Sequence, residues 1–284
     1  MMTLLTTNPI PLSMPAHKAR KIPLAPNHED DTARLVQTFG KKCGFCDVLK
    51  NGTGAGVHTS VCGEFDCAQM RRRRIEKHGS LVREGEKIAY LYSLRFGQIK
   101  VIGREHDEHQ ITGFHMPGDL IGLESIASGR HRFRLVALEN CEVCELPVAA
   151  VARLIAQHPA FQTKLIFAFS AALEEGYDRA SILSLRSLER RFAGFLLALS
   201  ARYARIGYSG NSFRLLMTRG DIGSYLATSI ESVSRLISRF NGRGAVLIQG
   251  RTVDIINRPY LEALAGGDGE IDEGLGIFPA PAVL

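Results

Sequence analysis

No stretch of the 284-residue chain approaches the roughly 18 consecutive apolar residues that a membrane helix needs. The N-terminus has no basic start followed by an apolar core and a cleavage site, so no secretory signal is evident and a cytoplasmic location is expected. No internal repeat is present, which sets aside solenoids and propellers. Signatures of catalysis are missing too. The strand-rich part has no clustered histidines and glutamates and no nucleophile standing with a base, and the C-x-x-x-C-x-x-C of radical enzymes is absent. An enzyme is therefore not expected. What is present is ordinary for a globular chain: 45% hydrophobic, 23% charged and long enough for about two domains. An excess of six positive charges fits a polyanionic partner without requiring one.

The texture changes along the chain. Residues 1–42 hold five of the eleven prolines, which argues against a packed element and for a disordered leader. Residues 43–78 form a cysteine-rich segment with a flexible glycine spacer from Asn51 to Gly56. Within it, Arg71 to Arg74 reads either as a short basic helix or as a solvated linker face. From 79 to 160, short apolar runs alternate with glycine, giving strands at Ile88–Tyr92, Gly97–Ile102, Gln110–Phe114 and Cys141–Leu146 and hence a small β-roll. Val148 to His158 reads as a short helix stopped by Pro159. A long helical pattern over 161–187 carries Leu165, Ile166, Phe169 and Leu173 and later Ile182, Leu183 and Leu185; such a stripe between domains predicts pairing with a second copy, a homodimer, the alternative being burial within its own chain. Glu174, Glu175 and Asp178 on that helix are expected to oppose the pairing by repulsion. Residues 188–264 then hold a supporting helix and a compact module, and 265–284 read as a disordered tail.

That module is the most informative part. Thr218 to Phe240 reads as two short helices joined by a tight turn, with Ser229 as the second N-cap. Ile230, Val233, Ile237 and Phe240 recur at helical spacing as one apolar stripe, while Glu231, Ser234 and Arg235 project together from another face. Each of those polar tips matches a base edge: Arg to guanine O6/N7, Glu to cytosine N4, Ser to donor or acceptor. Gly244 ends the helix, and Val246 to Ile256 reads as a hairpin turning at Gly250 and Arg251, with Arg251 placed to meet phosphate. Helix, turn, helix and hairpin make a winged helix-turn-helix, so double-stranded DNA is the expected partner.

The order of β-roll, long helix and winged helix-turn-helix, over about residues 79–262, resembles the CRP/FNR family of bacterial transcription regulators. The segments that carry this are Gln110 to Gly122, Leu216 to Gly223 and Ile230 to Leu236, and they look most like the FNR branch of oxygen sensors. The resemblance implies an α+β fold: an N-terminal cyclic-nucleotide-binding-like β-roll, a long dimerisation helix and a C-terminal winged helix-turn-helix. It implies a regulator of anaerobic gene expression that binds TTGAT-type inverted repeats and contacts RNA polymerase, here through the loop Arg104 to His109. Cyclic nucleotide is not expected. Leu123 stands where that ligand's ribose would need Glu, and His131-Arg132 where its phosphate would need an Arg-Ser pair.

Read from the residues alone, Cys43-Gly-Phe-Cys46 can grip one metal centre, whether zinc, a redox dithiol or an iron–sulfur cluster. The resemblance implies the last: a 4Fe-4S cluster held by Cys43, Cys46, Cys62 and Cys144. Fifteen residues separate Cys46 from Cys62, more than the family pattern, and Gly52 to Gly56 reads as an insertion that loops out. Such an insertion costs only about 0.6 kcal/mol per doubling of loop length. Cys67 stays open as a replacement for Cys62. Cys141, three residues before Cys144 on a strand, points to the opposite face and reads as core. The alternative function is a zinc- or thiol-based redox-sensing regulator of the same fold.

Overall fold

The computed structural model describes residues 71–105, 108–157 and 159–266. The expectations for the leader, for Cys43, Cys46, Cys62 and Cys67, for His106 and Asp107 and for the tail beyond Gly266 lie outside these described residues. Eight antiparallel strands build the roll: β1 (Arg71–Ile75), β2 (Ser80–Val82), β3 (Tyr90–Phe96), β4 (Ile99–Glu105), β5 (Glu108–His115), β6 (Leu120–Ile121), β7 (Arg134–Ala137) and β8 (Cys141–Pro147). They form two four-stranded sheets, β1-β8-β3-β6 and β2-β7-β4-β5. The space between them is filled by side chains such as Leu94, Ile99, Ile121, Leu135 and Val143.

The arginine run is a correction. Arg71 to Arg74 form an edge strand, neither a helix nor a linker face. Cross-strand charge explains it: Arg73 lies 3.5 Å from Glu145, and Arg74 lies 3.5 Å from Glu142, both on β8. Exposed arginines also blunt an edge that would otherwise invite further pairing. Strands β2, β6 and β7 are too short or too charged to announce themselves by alternation, and β3 starts two residues later than its apolar run. Gly97 follows β3 with φ +85, and a Cβ there would sit 2.5 Å from the Cys141 sulfur, so a glycine is required.

The short helix ends before Pro159 as expected, and Pro159 also opens the next helix. Helix α1 (Val148–Gln157) is followed by α2 (Pro159–Ser184), whose first residue needs no backbone N–H. Phe161 and Leu165 of α2 are buried with α1 against the outer face of the β1-β8-β3 sheet, together with Leu91, Cys144 and Leu146. The middle of the apolar stripe faces away from its own chain, with Ile166 60% exposed, Leu173 55% and Tyr177 66%, while Ile182 near its end is buried in the core under α2's successor helix. Glu175 is not available for repulsion as expected, because Arg205 lies 3.1 Å from it.

Helix α3 (Leu188–Arg205) is capped by Ser187, whose hydroxyl accepts from the Arg190 N–H. Its buried face, led by Phe192, Phe195 and Leu196, carries the C-terminal module: β9 (Ser212–Arg214), α4 (Arg219–Tyr225), α5 (Ile230–Gly242), β10 (Val246–Gln249), β11 (Thr252–Ile255) and α6 (Arg258–Gly266). The wing is a three-stranded sheet in the order β10-β11-β9, one strand more than the hairpin alone, and α6 runs two residues into the stretch expected as tail. Among the described residues no helix is long and apolar enough to cross a membrane.

Candidate nucleic-acid interface

The two helices of the module are fixed by local chemistry. Thr218 and Asp221 form a reciprocal cap on α4: the Thr218 hydroxyl accepts from Asp221 N–H at 3.0 Å, and the Asp221 carboxylate accepts from Thr218 N–H at 2.9 Å. The turn to α5 needs a close approach, because a Cβ on Gly223 would lie 2.8 Å from the Thr228 carbonyl oxygen. Ala227 turns the chain at φ +53, a region a non-glycine residue rarely adopts. Ser229 then caps α5, accepting from Ser232 N–H at 3.2 Å.

Val233, Leu236, Ile237 and Phe240 of α5 are buried, Phe240 meeting Phe192 edge-on at 5.2 Å. Ile230 is a correction: it is 49% exposed, and Leu236 takes its place in the buried stripe. At the far end, Glu189 of α3 bridges to Arg239 and, at 3.0 Å, to Arg243. Hydrogen bonds from these guanidinium groups hold its carboxyl below the usual carboxylate range.

The face expected to read DNA is on the outside. Glu231 and Arg235 are exposed, and Ser234 is half-buried beside them. The Glu231 carboxylate is held below its ordinary pKa by its own backbone N–H and by the Ser229 hydroxyl, so it is a ready acceptor at neutral pH. Ser234 is less free than its spacing suggests. Its hydroxyl donates to the Ile230 carbonyl at 3.0 Å and accepts from Arg219 Nη1 at 3.1 Å. Arg219, the first residue of α4, thus joins the face; sequence reasoning missed it because its partner lies on another helix. At the wing, Gly250 has φ +59 and Arg251 is exposed at the turn. Its charge also acts on the roll: burial raises Glu139 to about 7, while Arg214, Arg251 and Lys77 pull it down.

The module is clamped to the roll through α4. Lys100 Nζ on β4 lies 2.6 Å from the Asp221 carboxylate, and Ile111 N–H on β5 donates to the Ser224 hydroxyl at 2.8 Å. Phe114 and Tyr225 meet at a 40° tilt with centroids 5.3 Å apart, and the Arg179 guanidinium of α2 lies 5.3 Å over the Tyr225 ring. Below this, Arg202 of α3 donates to the Phe114 carbonyl at 2.7 Å and to Asp119 at 2.5 Å. Burial alone would raise Asp119, but Arg202 and His115 outweigh it and lower it to about 2.

Of the four expected cluster ligands only Cys144 is described. It is 4% exposed, on β8, paired in register with Arg72 on β1 and with Ser93 on β3. Cys141 lies in the other core, its thiol donating to the Gln98 carbonyl at 3.3 Å; burial pushes it up to about 12, so it is a poor thiolate ligand. Among the described residues no three His, Cys, Asp or Glu side chains gather as a metal site. Two observations nonetheless fit Cys144 to a shared cluster. Strand β1 brings the chain leaving the cysteine segment to within one strand spacing of Cys144, and Cys62 and Cys67 precede Arg72 by ten and five residues. At ~3.3–3.6 Å per extended residue that tether spans the distance easily. Beside Cys144, the fully buried Ser93 hydroxyl has no hydrogen-bond partner among the described residues, an orphaned donor on the sulfur's own face. Leu123, in place of a ribose-binding Glu, is 5% exposed in the same apolar cluster as Cys144.

Comparison with known proteins agrees with this layout. Residues 72–158 match the cyclic nucleotide-binding domain family, and residues 190–264 match the Crp-like helix-turn-helix domain family. The chain is 39% identical over 237 residues to the fumarate and nitrate reduction regulatory protein of Escherichia coli, covering 82% of this chain and 94% of that one. The protein of the same name in Salmonella typhimurium is 39% identical over the same shares of the two chains. Among solved structures, FixK2 from Bradyrhizobium japonicum aligns with a TM-score of 0.63 and 27% identity, covering 70% of this chain and 98% of that one.

Proposed function

This chain belongs to the CRP/FNR family of bacterial transcription regulators, and we propose that it switches anaerobic genes, including those of fumarate and nitrate reduction, in response to oxygen. It is a DNA-binding transcription regulator, not an enzyme. In the proposed active form it is a cytoplasmic homodimer on TTGAT-type inverted repeats, reading bases through Glu231, Ser234 and Arg235. Its exposed α2 stripe of Ile166, Leu173 and Tyr177 supplies the two-fold seam. RNA polymerase contacts are proposed at Arg104 to His109, the segment that joins β4 to β5.

The observation that carries the sensing part is the position of Cys144 beside the strand by which the cysteine segment joins the roll. Cys43, Cys46, Cys62 and Cys144 would hold a 4Fe-4S cluster. Such a group, when bound, supplies iron–thiolate bonds that persist without oxygen and are lost with it. The leader and its glycine spacer have too little apolar content to dock unaided, so ligation orders them against β8. Cys144 shares its apolar cluster with Phe161 and Leu165 of α2, so its ligation bears on the helix that carries the dimer seam. No cyclic nucleotide is needed, and the buried Leu123 offers nothing to a ribose.

Iron and sulfide analysis of anaerobically purified protein tests this, with single Ser replacements at the four cysteines. Near four irons per chain in the wild type, lost in each variant together with anaerobic DNA binding, is the expected result. Cys141→Ser should keep both. A full cluster in Cys62→Ser and none in Cys67→Ser would move the third ligand to Cys67. A colourless protein holding zinc or no metal would return the zinc- or thiol-based alternative.

A further inference from the structure

Three strands bring Ser93, Cys144 and Arg72 into one row, because Cys144 on β8 is paired in register with Ser93 on one side and Arg72 on the other. Residues directly opposite in an antiparallel sheet point to the same face, with Cβ atoms about 4.5–5.5 Å apart. A serine oxygen and a cysteine sulfur on facing Cβ atoms at that spacing reach hydrogen-bonding distance in matching rotamers. Ser93 is 0% exposed, and its hydroxyl has no partner among the described residues. On this face Leu91 and Leu146 offer no side-chain acceptor, and the carboxylate there, Glu142, is engaged by Arg95 at 2.6 Å and Arg74 at 3.5 Å. A hydroxyl buried in an apolar cluster with nothing to donate to is unfavourable, so its partner must be a group acquired later. Cys144 acquires that character on becoming a thiolate ligand, since a charged sulfur accepts far better than a thiol.

We infer that the Ser93 hydroxyl donates a hydrogen bond to the Cys144 sulfur in the cluster-bound state and slows the cluster's loss to oxygen. This rests on the cluster reading given above. Ser93 is a positioning residue: it touches the ligand sulfur, not the iron. By withdrawing electron density from that sulfur, the donor makes the centre harder to oxidise, and hydrogen bonds to the sulfurs are among the determinants of iron–sulfur potentials.

The test compares wild type, Ser93→Ala and Ser93→Thr, each purified anaerobically as the full chain. Three quantities are measured: iron per chain, the half-life of the cluster's visible absorbance at one fixed dissolved-oxygen concentration, and the melting temperature of cluster-free protein. Iron content should be equal in all three. The half-life should fall about fivefold in Ser93→Ala, the factor one lost hydrogen bond carries, and return in Ser93→Thr. Cluster-free Ser93→Ala should melt at the same temperature or higher, because it has lost only an unsatisfied hydroxyl. A merely structural serine would show the reverse, with melting lowered and half-life unchanged, and that result overturns the inference while leaving the cluster reading intact. Equal half-lives in wild type and Ser93→Ala overturn it in the same way. Wild type without iron overturns the cluster reading itself, and this inference with it.

Discussion

Asp221 is asked to do two things at once, and its removal separates them. Its carboxylate accepts from Thr218 N–H at 2.9 Å and from the Thr218 hydroxyl at 2.8 Å, which caps α4. It also accepts from Lys100 Nζ at 2.6 Å, which fastens α4 to the roll. Loss of a helix cap costs about 1 kcal/mol. Breaking a fully buried ion pair costs about 3–5 kcal/mol, but Lys100 is 21% exposed and can still reach water, so about 1–2 kcal/mol is the better figure here. Asp221→Ala should therefore destabilise the C-terminal module by about 2–3 kcal/mol in urea unfolding followed by circular dichroism. Lys100→Met removes only the cross-domain contact and should cost about 1 kcal/mol, while Thr218→Val removes only the cap. In a double-mutant cycle, Lys100 and Asp221 should couple by about 1 kcal/mol, and Lys100 and Thr218 much less. If the Lys100–Asp221 coupling fell within the ~0.3–0.5 kcal/mol scatter of independent sites, the clamp would be a contact without energy and the reasoning would fail.

Three further outcomes follow from the same geometry. Arg235→Ala should weaken binding to the specific site by about 1–3 kcal/mol and relax preference at one base pair, whereas Arg251→Ala should weaken all sequences alike; selection from a randomised duplex pool reads both, and unchanged preference in the Arg235 variant refutes its role. Leu173→Glu, at a position 55% exposed in the single chain, should leave monomer stability within about 0.5 kcal/mol of wild type yet shift sedimentation toward monomer. The Asp119 carboxyl is lowered from its ordinary 3.8 to about 2, so it stabilises the fold above pH 4 and that contribution is lost as pH falls through about 2. Arg202→Met should remove about 2 kcal/mol of this and flatten acid unfolding between those limits, read by the same urea series at several pH values.

How much of this was legible in the sequence depended on range. The recognition helix announced itself because its cap, its apolar period and its polar face all lie within one short segment, and the wing did so through Gly250. Cys141 and Cys144 could be assigned to opposite faces by strand alternation alone, and they lie in two separate apolar cores. The arginine strand was not legible, because four like charges suit a sheet only when Glu142 and Glu145 stand opposite, and those lie some seventy residues away in sequence. Ile230 was misassigned within an otherwise correct stripe because first-turn residues of a helix need not share the buried face of later turns. Pro159 was read as the stop that it is, but its second role as the start of α2 went unread, since both follow from a missing N–H. Arg219 and Ser93 were invisible for one reason: each matters through a neighbour brought beside it only by folding, Ser234 across two helices and Cys144 across two strands.

Under the proposed function, the placement of Cys144 gives a bound centre a route to the helix proposed to carry the dimer seam. Strand β8 has two faces with different duties. Cys141 and Val143 fill the interior of the roll. Cys144 and Leu146 look outward, under α1 and the first turns of α2, where Phe161 and Leu165 complete the same cluster. From Ile166 to Tyr177 the helix turns apolar residues to solvent, before Ile182 returns to the core. Under the proposed function, a ligand bond made or broken at Cys144 acts on the root of α2 while the roll's interior is untouched. Well-packed cores transmit such strain because they deform little. The same helix reaches the DNA-reading module through Arg179, which donates to the Ile111 carbonyl and covers the Tyr225 ring. One element therefore contacts the proposed sensor, the proposed seam and the clamp on α4. Arg179→Ala should then lower DNA affinity in cluster-loaded protein while leaving iron content unchanged. Fluorescence anisotropy on a labelled inverted repeat decides it: wild-type affinity in that variant would mean α2 passes nothing to the module by this route.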